Sequence, residues 1–132
     1  MIDSLLALLL PHRRWLLALS LAGMALIFTL SAQPSMQVPT LVLYQDKVLH
    51  FLLFGVLGFF LALLVMSDGS RPTLWHMLVV SLLVMGYGGL DEFHQSFVPG
   101  RTPDILDLAA DTTGGLLSAL LVMSLLRRYS RH

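Results

Sequence analysis

"VLHFLLFGVLGFFLALLVM", residues 48–66, decides the fold. The stretch has one ionisable side chain, His50, and its apolar residues cover every helical face rather than one stripe. A helix that is oily all round is either buried in a large protein or immersed in lipid. About 20 such residues are what a helix needs to cross the hydrocarbon core of a bilayer. At 132 residues the chain has no large soluble core in which to hide this segment, so lipid is the expected surrounding.

The rest of the chain agrees with that reading. Apolar residues make up 56% and charged residues only 12%, about half the charge of an ordinary soluble domain. Three further apolar blocks flank the first: "WLLALSLAGMALIFTLSA" (15–32), "LWHMLVVSLLVMGYGGL" (74–90, running on into the charged stretch) and a fourth from near Thr102 to near Leu126. Between them lie "QPSMQVPT" and "SDGSRPT", rich in turn formers and helix breakers. The expectation is all-α: one domain over 1–132, a polytopic four-helix membrane bundle with spans at about 15–32, 48–66, 74–92 and 103–126. "LLALLL" within residues 1–10 is too short to span and is expected to lie at the interface. A cleaved signal peptide is the rival reading of the block at 15–32. The length of that apolar run favours a retained helix. Thr102 followed by Pro103 predicts an N-cap and first helical residue for the fourth span, with Asp104 in its first turn.

Loop charges give an orientation. With four spans, Arg13, Arg14, Arg71, Arg127, Arg128 and Arg131 fall on one side, and only Lys47 and Arg101 on the other. The positive-inside rule then puts both termini in the cytoplasm and the motif-bearing loops outside. Zero formal net charge offers no footprint for nucleic acid, and no cysteine means no disulfide or thiolate chemistry.

That topology gathers residues the sequence separates. Asp46, Lys47 and His50 open the second span at its outer end; Asp91, Glu92, His94 and Gln95 close the third at the same level. Arg101 lies in the outer loop, and Asp104, Asp107 and Asp111 enter the fourth span from outside. Asp46 with His50, and Asp91 with His94 and Gln95, have the i+3 and i+4 spacing that shares a helix face. Asp104, Asp107 and Asp111 form a stripe continued by Gly114 and Ser118, small residues that let another helix approach. Gly55, Gly58 and the "GYGG" of Gly86–Gly89 offer close packing or room for a cavity. Asp111 is ~10 Å deeper than Asp104, and a bare carboxylate there needs a partner, a proton or water.

These residues permit several chemistries. His94 or His50 can serve as general acid or base, oriented by Asp91 or Asp46, with Glu92 completing the site. Lys47 and Arg101 can hold a phosphate. Asp46, Gln95, Asp104, Asp107 and Asp111 are further ligand-binding candidates. Six acids against two cations can also hold a divalent cation, with Glu92, His94, Asp104 and Asp107 as candidate ligands; imidazole with carboxylates suits Zn²⁺ or Mn²⁺. The bland alternative is an ion-pair network that fixes helix register. "DEFHQ" is not a zinc-protease HExxH motif.

With these residues in view, the chain resembles the VanZ-like family of small bacterial membrane proteins from about Leu30 to Leu121. "SAQP" is similar to that family's serine-glutamine signature, "DKVLHFLLFGVLG" (46–58) to its aspartate-lysine and histidine element, and "DEFHQSFVPGRTPDILDLAADTTGG" (91–115) to its longest motif. At Asp111 the chain departs from the family's usual asparagine. The family is named for a protein associated with low-level teicoplanin resistance. The resemblance implies a bacterial inner-membrane protein with a cell-envelope role, its partners being membrane lipids or a lipid-linked precursor. Oligomeric state is not legible. The residues leave three functions open: an enzyme acting on an envelope lipid, a non-catalytic binder of a lipid or glycopeptide-type ligand, and, last, a transporter. No polar path leads from the cluster to the cytoplasmic side, which weighs against transport.

Overall fold

A computed structural model describes residues 12–34, 44–67 and 70–129. The interfacial segment expected within residues 1–10 lies outside them, as does Arg131. Among the described residues the chain is all-helical: α1 Arg13–Ser31, α2 Gln45–Met66, α3 Leu74–Gln95 and α4 Ile105–Tyr129. All four are long and apolar enough to cross a membrane. Each satisfies its own backbone hydrogen bonds, the condition for crossing a lipid core.

The four helices run alternately up and down. α4 is the most enclosed, with 33% of its most apolar window buried against 22% for α1 and α3. Its main partner is α2, then α3; α1 leans chiefly on α2 and only lightly on α3. The α2–α4 seam is made by glycines. A Cβ added to Gly58 would lie 2.7 Å from the Gly115 Cα, and one added to Gly115 would lie 2.6 Å from the Val84 side chain on α3. Without these side chains the backbones meet directly, as they do where small residues replace a hydrophobic drive for association in lipid. Ser118 closes the seam by donating to the Gly55 carbonyl at 2.7 Å. Phe54, Leu57, Leu63, Val80, Val84 and Val122 fill the interior. Leu52, Val56, Leu82, Phe93 and Leu121 point outward, where lipid would cover them.

Both ends of the bundle are tied. At one end Arg127 donates from Nε and Nη2 to the Pro72 carbonyl, at 3.1 and 2.9 Å. At the other, Arg101 donates to the carbonyls of Gln33 (3.2 Å) and Leu30 (3.5 Å), at and just beyond the end of α1. One boundary differs from the sequence expectation. α4 begins at Ile105, so its cap is Asp104 rather than Thr102: Leu106 N–H donates to Asp104 Oδ1 at 2.8 Å. A carboxylate outcompetes a hydroxyl for the positive end of the helix, and it sits on the helical side of Pro103.

Candidate functional site

The end of the bundle formed by Ser31, the start of α2, the end of α3 and the start of α4 holds two polar groups. The smaller joins α1 to α3. Asp91 Oδ2 accepts from Ser31 Oγ at 2.9 Å and from Gln95 Nε2 at 2.8 Å. Asp91 is buried, and its Oδ1 has no hydrogen-bond partner among the described residues.

The larger group joins α2, α3 and α4. Lys47 Nζ contacts Asp46 at 2.7 Å, Asp104 at 2.6 Å and Asp107 at 2.8 Å. An ammonium has three protons, so three carboxylates satisfy it fully. Asp104 lies outside the spans, and the Lys47 ammonium beside it holds its carboxyl below the ordinary aspartate range. One turn deeper, His50 Nδ1 lies 2.9 Å from Asp111 Oδ1, and His50 Nε2 lies 3.9 Å from Asp107 Oδ2. Asp111 is fully buried. Glu92 reaches across from α3 and accepts from the Asp104 N–H at 2.7 Å, fixing the start of α4. Its Oε1, like Asp111 Oδ2, has no partner among the described residues.

The structure therefore brings together Asp46, Lys47, His50, Glu92, Asp104, Asp107 and Asp111, and places Asp91 and Gln95 of α3 beside them, bonded to Ser31 of α1. It does not bring His94 into the group. That ring stacks on Phe28 of α1, with centroids 4.2 Å apart and planes 15° from parallel. Arg101 is tied to the carbonyls of Leu30 and Gln33, and Lys47 is engaged by carboxylates, so the two cations have different partners. Ser31 enters the sequence reading only within the "SAQP" signature and not as a site residue. A serine near a helix end ordinarily bonds a carbonyl of its own helix; its place in that signature and its position at the polar end of the bundle are the signals that point toward Asp91.

Between α1 and α2 lies a cavity of about 520 Å³, within the size range of small-ligand sites. Ile27, Leu30, Leu49, Leu53 and Phe54 give it apolar walls. Its polar lining comes from Ser31, Asp46, His50, Asp91 and Arg101, together with Gln33 and Gln45. The Asp91 side chain, an imidazole and a guanidinium thus border one oily space. Such a space takes a molecule with a charged head and an apolar tail.

Comparison with known proteins gives one finding. The family model described as VanZ/LLP1 matches residues 15–127, which takes in all of α2 and α3 and nearly all of α1 and α4. No curated protein and no solved structure matches the chain.

Proposed function

The chain belongs to the VanZ/LLP1 family of membrane proteins, and on that premise we propose that it binds an envelope lipid or lipid-linked molecule in the cavity between α1 and α2. The observation that carries this reading is the composition of that cavity, apolar along its length and charged at the loop end. Asp91 lines the cavity, and its Oδ1 has no partner among the described residues; a carboxylate on that wall suits an amine, and leaving such a buried acceptor unmade costs ~1–3 kcal/mol, more when it is charged. Arg101, at the same end, suits a phosphate. A headgroup carrying both an amine and a phosphate fits the pair. The acyl or prenyl chain would lie against Ile27, Leu30, Leu49 and Leu53.

Native mass spectrometry of the protein, purified in a mild maltoside detergent, should show about one co-purified amine-bearing lipid per chain. Leu49→Trp, which fills the cavity, should abolish that retention. Asp91→Asn keeps the size of the side chain and should select against amine-bearing species. Equal lipid retention by wild type and Leu49→Trp would sink the reading.

The outer-face placement of the site has separate support. Arg13, Arg14, Arg71, Arg127 and Arg128 all lie at the opposite end of the bundle, and cytoplasmic ends collect arginine. Because the chain has no cysteine, a single Thr102→Cys or Ser70→Cys reports topology cleanly. In intact cells stripped of an outer barrier, a membrane-impermeant maleimide should label the first and not the second. The reverse pattern would put the cavity on the cytoplasmic leaflet.

A further inference from the structure

Three side chains of the larger polar group share one property: each has one atom engaged and one left over. His50 is engaged through Nδ1 by Asp111, which leaves Nε2. Asp107 is engaged through Oδ1 by Lys47, which leaves Oδ2. Glu92 is engaged through Oε2 by the Asp104 N–H, which leaves Oε1 without a partner among the described residues. Glu92 is 92% buried by its 8% exposure. A ligand atom from each of the three lies within 4.8 Å of the others. From this convergence we infer that His50, Glu92 and Asp107 form a binding site for one divalent transition-metal ion, of the Zn²⁺ or Mn²⁺ class.

Distance, charge and orientation all bear on this. Donors around a tetrahedral zinc at ~2.0–2.1 Å stand ~3.3 Å from one another. His50 Nε2 and Asp107 Oδ2 are 3.9 Å apart, so small side-chain rotations close the site. Two carboxylates and one divalent ion sum to zero charge, which suits a depth where two neighbouring bare carboxylates repel and are poorly solvated. An imidazole among the donors favours a transition metal over Mg²⁺ or Ca²⁺. Asp111 holds the far nitrogen of His50, the carboxylate–histidine arrangement that fixes tautomer and ring orientation in metal sites. The other acid trio, Asp46, Asp104 and Asp107, has its centre filled by the Lys47 ammonium. Three protein donors leave coordination positions open, and His50 also lines the cavity. An ion there would stand at the edge of the space assigned to the ligand headgroup.

The test is a Zn²⁺ titration by isothermal calorimetry. It uses the full chain in maltoside, its affinity tag cleaved and its metals stripped by EDTA and dialysis. The expected result is saturation at one Zn²⁺ per chain, with X-ray absorption showing a single imidazole and otherwise oxygen donors. Glu92→Gln, whose amide oxygen still accepts from Asp104, should weaken binding at least tenfold. Asp111→Asn should weaken it by ~10-fold or more, the usual effect of losing a supporting carboxylate. Asp104→Asn, which touches Lys47 and not the ion, should change it less than about threefold. No saturable binding, or donors with no imidazole, overturns the inference, and that absorption measurement needs no variant to fold. Equal affinity for wild type and Glu92→Gln also overturns it. Because the titration uses no lipid, its failure would leave the lipid-binding reading untouched.

Discussion

Lys47→Met should lower the unfolding free energy by about 2–4 kcal/mol. Removing one partner of a buried ion pair costs ~3–5 kcal/mol, because the other partner stays behind unpaired. Here three carboxylates stay behind. Two are partly solvated: the Asp46 side chain is 60% exposed and that of Asp104 37%. Water screens those two pairs, and exposed pairs contribute ~0–1 kcal/mol each. Asp107 is different, with only 9% of its side chain exposed, so most of the cost is expected from this one contact. The variant should therefore be rescued selectively. Adding Asp107→Asn removes the stranded charge and should restore a large part of the loss; adding Asp46→Asn should restore little. Lys47→Arg should fall between, since a planar guanidinium cannot point protons at three carboxylates as a tripodal ammonium can. Reversible unfolding in mixed detergent–SDS micelles measures all four proteins. A Lys47→Met variant within 0.5 kcal/mol of wild type would show that the carboxylates are held by something other than this ammonium.

The number of helices and their antiparallel order were legible because lipid imposes a strict rule on sequence. An apolar run such as residues 48–66 has one stable conformation in hydrocarbon, and alternating spans must bring the end of α1, the start of α2, the end of α3 and the start of α4 to one level. That argument alone gathers Asp46, Lys47, His50, Asp91, Glu92 and the α4 acids. What spacing did not deliver was the rotation of α3. Asp91, Glu92 and Gln95 are buried, and at ~100° per residue their mean direction lies ~110° from that of His94. The same rotation puts Phe93 on the outside, where it is 65% exposed. Both histidines sit beside acids in the sequence, so pairing rules could not separate them. The stripe of Val80, Val84 and Gly88, all buried and aligned with Asp91, is the signal that does. Lys47 was equally ambiguous. Its position allowed a phosphate contact, and only the approach of α4 to α2 shows that the aspartates of α4 and its cap accept its hydrogen bonds.

That approach depends on glycine, and Gly114→Leu should have the largest effect of any substitution considered for this chain. A Cβ on Gly114 would meet the Phe51 carbonyl oxygen of α2 and come within 3.1 Å of the Gly55 nitrogen. Both obstacles are backbone, so no side-chain rotation relieves them; α2 and α4 must move apart. Separation would pull Ser118 from the Gly55 carbonyl, His50 from Asp111 and Lys47 from Asp107, since every one of those contacts crosses the same seam. Gly114→Ala should therefore cost about 1–3 kcal/mol, the range for overpacking a tight interior, and Gly114→Leu should prevent recovery of a folded monodisperse protein. Gly86→Ala and Gly89→Ala supply the contrast. Among the described residues nothing lies within 4 Å of a Cβ at either position, so each should be neutral or stabilising by up to ~1 kcal/mol through helix propensity. A mild variant separates packing from site. In Gly114→Ala, lipid retention and Zn²⁺ affinity should fall together with stability, because the seam sets the spacing of His50 and Asp107. In Asp91→Asn, selection of amine-bearing lipid should be lost while Zn²⁺ affinity holds. If Gly114→Leu unfolds at the same SDS fraction as Gly86→Ala, then α2 and α4 do not pack through their glycines, and the convergence of His50, Asp107 and Glu92 loses its structural basis.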